Sequence, residues 1–190
     1  MSYVPLWCKT NFSFLEGASH PEELIETAHG YGLSAVAVTD RDGVYGVVRA
    51  HLKARALGIS LIIGAQVTAT LGSSIILIAA NGQGYKNLCS LLSTGRLRSP
   101  KGQSGVTWEE ICSHAEGLIA LWGGPRIALA NPDAPSAFVF DLKQAFGDRL
   151  YVLAVRHRLA AERRRERILK ERATQYRLPI VAGNEVLYHI

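Results

Sequence analysis

Several short stretches of this chain are apolar without interruption: Ala35-Val36-Ala37-Val38, Leu61-Ile62-Ile63, Ile75-Ile76-Leu77-Ile78 and Leu118-Ile119-Ala120-Leu121-Trp122. A strand that is apolar on both faces must be covered on both faces, which confines it to a helix-covered sheet or barrel. Helical signals alternate with these runs. Ser19-His20-Pro21-Glu22 reads as a capping box, with Ser19 as N-cap and Glu22 at the third helical position. Leu24, Ile25 and Ala28 supply that helix's buried stripe, and Gly30 to Gly32 end it. Further helices are expected over 44–57, 85–92 and 136–146, and a second capping box, Thr107-Trp108-Glu109-Glu110, opens another. Strands are expected over 3–9, 150–155 and 179–182, with a hairpin-like pair on either side of Gly72-Ser73. The segment 96–105 reads as an exposed loop. This alternation implies an α/β fold built on a parallel sheet or barrel. In such folds loops converge at the C-terminal ends of the strands, so that is where chemistry is to be sought.

Composition narrows the class. At 190 residues and 48% hydrophobic, the chain suffices for one domain with a real core. It has no apolar run long enough to cross a membrane and no basic leader followed by an apolar segment. The three cysteines, Cys8, Cys89 and Cys112, are too widely spaced for a zinc ribbon and odd in number for a disulfide framework. Reduced thiols and a cytoplasmic location are the expectation.

The strand ends carry a resemblance. Residues 6–24, Leu6-Trp7-Cys8-Lys9-Thr10-Asn11-Phe12-Ser13-Phe14-Leu15-Glu16-Gly17 onward to Pro21-Glu22-Glu23-Leu24, are similar to the opening of error-prone polymerases related to the bacterial DNA polymerase III alpha subunit. Thr39-Asp40-Arg41-Asp42-Gly43-Val44-Tyr45-Gly46, Ile63-Gly64-Ala65-Gln66-Val67, Gly84-Tyr85-Lys86-Asn87-Leu88 and Gly117 to Gly124 match in the same order. The resemblance implies a PHP domain, a distorted seven-stranded β/α barrel; no helix follows the last expected strand, so either that helix is missing or this is the front of a longer polypeptide. It also implies that residues 1–190 form a single PHP-like domain, the N-terminal part of a longer polymerase.

Active members of that family hold up to three metal ions through His, Asp and Glu, which can activate water and hold phosphate. This chain departs from the pattern. Trp7 and Lys9 stand where the family has His-x-His, and Arg41 replaces the His after Thr-Asp. Gln66 replaces a Glu, Ser74 and Leu187 replace His, and Glu185 replaces an Asp. Only His157 and the carboxylate of Glu185 are retained. Trp7 and Leu187 offer no ligand atom, and Lys9 and Arg41 bring fixed positive charge to where cations would sit. The expected cleft, Trp7, Lys9, Asp40, Arg41, Asp42, Gln66, Ser74, His157, Glu185 and Leu187, is therefore vestigial, with no catalytic residue, metal or cofactor. Lys9 or Arg41 is expected to pair with Asp40, Asp42 or Glu185. The rival reading is a basic pocket for a phosphate.

The remaining charge is concentrated. Residues 156–177 carry eight Arg and one Lys against three Glu, a net of +6 in a chain of net +5. One basic helix therefore sets the pI. Ala161, Ile168, Leu169, Ala173 and Tyr176 form its apolar stripe, leaving Arg163, Arg164, Arg167 and Arg172 outside. These are either a solvated face, or a contact to nucleic acid phosphates or to another domain. The function expected is a non-catalytic scaffold and interaction domain of an error-prone DNA polymerase. Its partners would be the remainder of a polymerase chain or other replication and repair proteins, with weak non-specific DNA contact and no membrane. The alternative is a metal-dependent phosphoesterase or 3′–5′ proofreading exonuclease.

Overall fold

The computed structural model describes residues 3–70, 73–123, 137–156 and 162–189. Among them the strands are β1 (Trp7–Cys8), β2 (Ala35–Val38), β3 (Ser60–Thr68), β4 (Ser74–Ala79), β5 (Leu118–Gly123), β6 (Leu150–Val155), β7 (Ile180–Gly183) and β8 (Glu185–Val186). The helices are α1 (Pro21–Gly30), α2 (Val47–Leu57), α3 (Gly82–Arg98), α4 (Trp108–Ser113), α5 (Ala137–Phe146) and α6 (Glu162–Tyr176).

Strands β2 to β7 hydrogen-bond in chain order, and β1 pairs with β8. Backbone bonds from Ala37 to Pro5 (3.0 Å) and from Thr39 to Cys8 (2.8 Å) join β1 to β2. Only Asn184 separates β7 from β8, so the strand path curls round and returns to itself. Taken as one path, β7 and β8 complete a distorted barrel of seven strands. Neighbours are parallel except at β4, which is antiparallel to both β3 and β5. The reason lies in the link. A parallel return needs a crossover of about a dozen residues, and too few separate Thr68 from Ser74.

Side-chain alternation explains why the runs are apolar throughout. Along β4, Ile75 and Leu77 face the helices while Ile76 and Ile78 face inward. On β5, Leu118, Ala120 and Trp122 face the helices and Leu121 faces inward; on β6, Leu150 and Val152 divide from Leu153 in the same way. Helices α1 and α2 cover β2 through Leu24, Ile25, Ala28, Ala50 and Ala54. Deleting one such side chain, as in Leu77→Ala, costs about 3 kcal/mol because a cavity remains. The inner face opens at the N-terminal end of the strands, as an apolar hollow of about 370 Å³ lined by residues such as Leu6, Ile62, Ile119 and Tyr151.

Some boundaries differ from expectation. The first helix is capped one residue later, at His20, whose N–H donates to Glu23 Oε2 at 2.7 Å. Pro21, which lacks an N–H, takes the first helical position, where none is needed. Ser19 meets His189 Nδ1 at 2.7 Å instead. Helix α3 runs on to Arg98, so 96–98 is not loop. It docks on the barrel through Leu88, Leu91 and Leu92, and Gly95 lets it approach the Ser104-Gly105-Val106 segment. Strand β1 is only two residues long, and α2 starts at Val47 rather than Val44. The second capping box forms as expected: Glu110 N–H donates to Thr107 Oγ1 at 3.2 Å, and Thr107 N–H to Glu110 Oε2 at 2.8 Å.

Candidate functional site

Of the expected cleft residues, Trp7, Lys9, Asp40, Arg41, Asp42, Gln66, Ser74, Glu185 and Leu187 are described, and they gather at the C-terminal mouth of the barrel. Trp7 and Lys9 bracket Cys8, and alternation sends them to one side of β1 and Cys8 to the other. Cys8 is buried among Leu24, Val36 and Val38, and burial pushes its thiol up to about 12 with help from the Asp40 charge. It is a packing residue.

Lys9 is the centre of the mouth. Its Nζ lies 2.6 Å from Glu185 Oε1 and 2.7 Å from Glu16 Oε2, with its side chain only 4% exposed. It also sits 5.2 Å from the centroid of the Trp7 ring. Arg41 Nη1 lies 2.6 Å from the other oxygen of Glu16. Two cations thus share two carboxylates, and Glu16 bridges them. The expected pairing of Lys9 with Glu185 is present in the structure. Arg41 differs: it pairs with Glu16 rather than with Asp40, Asp42 or Glu185. Sequence reasoning missed Glu16 as a site residue. The available clue was its position in a loop after a strand end, seven residues from Lys9.

The two aspartates are occupied elsewhere. Asp40 accepts from Thr10 N–H (2.6 Å), Thr10 Oγ1 (2.8 Å) and Ser13 Oγ (2.6 Å), which folds the 10–19 loop over the end of β2. Asp42 accepts from Thr68 N–H and Oγ1, both at 2.7 Å. Burial raises its pKa, and the Thr68 bonds oppose that. Asp42 has a left-handed backbone (φ 52°), and Arg96 donates to its carbonyl from Nη2 at 3.0 Å and Nε at 3.1 Å. Trp7 Nε1 donates to Gln66 Oε1 at 3.1 Å, and Gln66 Nε2 reaches Ser74 Oγ at 3.4 Å. Leu187 contributes its carbonyl, which accepts from Ala18 N–H at 2.8 Å. His157 and Ala161 lie outside the described residues.

On α6, Leu169 and Ala173 are buried and Ile168 and Tyr176 half-buried, as the expected stripe requires. Arg163, Arg164 and Arg167 are exposed, and Arg172 is half-buried. Glu166 gathers Arg156 (2.6 Å) and Lys170 (2.7 Å), and Arg167 lies 3.7 Å from Glu171. The helix packs on β6.

The profile of the PHP domain matches residues 6–157. The chain belongs to the PHP domain family. Relatives of this PHP chain include the error-prone DNA polymerase of Rhodopirellula baltica, 35% identical over 202 residues that span 100% of this chain and 17% of that protein. Another, from Anaeromyxobacter sp. (strain K), is 38% identical and covers 98% of this chain and 17% of its own length. The chain thus spans about a sixth of the polymerases it matches. Among solved structures, a putative metal-dependent phosphoesterase from Bifidobacterium adolescentis superposes with a TM-score of 0.67 at 17% identity, covering 100% of this chain and 88% of that one. An amidohydrolase from Chromobacterium violaceum gives 0.61 at 14%, covering 97% and 87%. At these identities they share the fold.

The PHP family implies metal ions at this mouth, and the side chains present do not fit them. A metal needs several lone pairs converging on one point, and the convergent point here is an ammonium group. Among the described residues, no cluster of three or more His, Cys, Asp or Glu side chains could hold a metal ion. A phosphate is poorly served too, because Lys9 and Arg41 are already matched by Glu16 and Glu185.

Proposed function

We propose that this PHP domain is a non-catalytic scaffold and interaction domain of an error-prone DNA polymerase, acting in DNA replication and translesion repair. Residues 1–190 would act as one domain at the N-terminal end of such a polypeptide. The observation that carries the reading is the ammonium of Lys9 lodged between Glu16 and Glu185. A buried charge of this kind stays only when paired, so the protein's own cation ties β1, β8 and the 10–19 loop together. In an active relative a metal ion would bind at such a mouth and activate water. Here no described side chain at the mouth is poised as an activated nucleophile or base. The polar groups hold one another, and their effect is to fix loops.

The alternative, a metal-dependent phosphoesterase or 3′–5′ exonuclease, makes the opposite demand on the same residues. Elemental analysis of the purified chain should find less than one Zn, Mn or Fe per chain. Hydrolysis of p-nitrophenyl phosphate and shortening of a 5′-labelled primer should stay at background when Mn is added. Two tightly bound metals, or Mn-stimulated activity abolished by Glu185→Ala, would overturn the scaffold reading.

A further inference from the structure

The loop that the clasp holds is unusual for what it displays. Leu15 has a left-handed backbone (φ 63°) and is 89% exposed. A branched, bulky residue is strained there, and the strain persists only where the surroundings over-determine it. The next residue is Glu16, gripped by Lys9 and Arg41. On the other side Ser13 is locked to Asp40. A Cβ at Gly17 would lie 2.1 Å from the carbonyl oxygen of Thr10, so the loop closes tightly on its own start. The result is a rigid turn that presents Phe14, 75% exposed, and Leu15 to solvent.

This turn is not isolated. The Phe12 ring lies 6.5 Å from that of Tyr45, which is 60% exposed. Tyr45 in turn forms one lip of a pocket of about 390 Å³ whose other lip is Leu97, 87% exposed, with Val44 and Leu92 in its wall. An apolar ridge therefore runs from Leu15 through Phe12 and Tyr45 to an adjoining pocket. Apolar anchors beside a pocket are how protein interfaces concentrate their binding energy. The nearby cations are engaged: Arg41 by Glu16, and Arg96 by the Asp42 carbonyl. With Arg41 matched by a carboxylate and Arg96 turned in to a backbone carbonyl, neither guanidinium is presented to the phosphates that a nucleic acid would bring.

We propose that this ridge and pocket form the docking face for the rest of a polymerase polypeptide, which presents a complementary apolar surface with one side chain entering the Tyr45–Leu97 pocket. The inference rests on the scaffold role proposed above. The occupant follows from length, since this chain matches only 17% of a relative's sequence and the remainder supplies the surface. The buried clasp then has a purpose: it holds the loop in its strained, displayed form before the partner arrives, which lowers the ordering cost of association.

The test is a thiol-accessibility scan. Single variants Leu15→Cys, Leu97→Cys and, as a reference on the far end of α1, Tyr31→Cys are made in this chain alone. The same three are made with the chain joined, in place of the matching segment, to the 35%-identical relative. Alkylation by iodoacetamide is followed at each position by peptide mass spectrometry. At positions 15 and 97 the rate should fall about tenfold or more in the joined polypeptide, as burial in an interface core requires, with position 31 unchanged. Protection at 31 without protection at 15 and 97 would overturn the docking face and leave the scaffold reading standing. No protection anywhere would count against both. A second variant separates display from folding. Leu15→Gly relieves the left-handed strain, so it should not lower the melting midpoint of the isolated chain but should lower that of the joined one. Equal effects in both would also sink the proposal.

Discussion

The barrel mouth and helix α6 use the same chemistry to opposite effect. At the mouth, Lys9 has a side chain 4% exposed and meets two carboxylates within 2.7 Å. On α6, Arg167 is 72% exposed and lies 3.7 Å from Glu171. Away from water, a charge that loses its partners bears the full desolvation penalty, so removing one member costs several kcal/mol. In solvent, water replaces the lost partner and the same removal costs a fraction of one. The basic helix dominates the charge count, yet a single lysine matters more to the fold. Location, not number, sets what a charge is worth.

That contrast is open to direct challenge. Lys9→Ala strands Glu16 and Glu185 beside one another and should destabilise the chain by about 3 kcal/mol, a fall in melting midpoint of roughly 5–10 °C. Arg41→Ala removes the half-exposed partner of Glu16 and should cost only about 1 kcal/mol. Thermal unfolding followed by circular dichroism compares them. Equal shifts would mean that burial does not separate the two cations.

Glu166 sharpens the exposed side. Hydrogen bonds from Arg156 and then Lys170 lower its pKa from 4.5 to about 2. A depressed carboxylate contributes stability that is present above 4.5 and lost as pH falls toward 2. Because both of its cationic partners are largely in water, that contribution should be small. Arg156→Ala should move the Glu166 midpoint back up toward 4.5, read by carbon-13 shifts of the carboxyl carbon. An unmoved midpoint would mean that the pair does not form in solution.

The smallest stability effect is expected from reversing α6. Arg163→Glu, Arg164→Glu and Arg167→Glu together lie off the buried stripe, so the melting midpoint should shift by about 2 °C or less. If the helix touches DNA, the wild-type chain should bind a random duplex weakly at about 50 mM salt, and the reversal should abolish that binding. Filter binding at two salt concentrations decides it. No wild-type binding at the lower salt leaves α6 as a solvated or domain-facing surface.

Much of the scaffold could be read directly from the residues. Strand β6 was expected at 150–155 and is found there, because Leu150 to Val155 is apolar on both faces and bounded by polar residues. The Thr107 box was legible because capping is a local contract between residues three apart. The first cap falls one residue beyond Ser19 because Ser19 is taken up by His189, a partner 170 positions away. Helix α3 runs longer than its sequence suggests because Arg96 and Leu97 look like the start of a loop. Their helicity depends on packing against β4 and on Arg96 reaching back to Asp42.

The site divides in the same way. Loss of the ligand types at Trp7, Lys9, Arg41, Gln66 and Leu187 needs no coordinates: Trp7 and Leu187 offer no lone pair, Lys9 and Arg41 supply positive charge, and Gln66 leaves a neutral carbonyl where a carboxylate would stand. Period-two alternation likewise sets Trp7 and Lys9 on one side of β1 and Cys8 on the other. What only the tertiary structure decided is which carboxylates answer the cations. Glu16 and Glu185 lie 169 positions apart in the chain and meet at Lys9 because β8 pairs with β1. Ion pairing is a matter of a few ångströms, and no local pattern in the sequence encodes a distance across the barrel mouth.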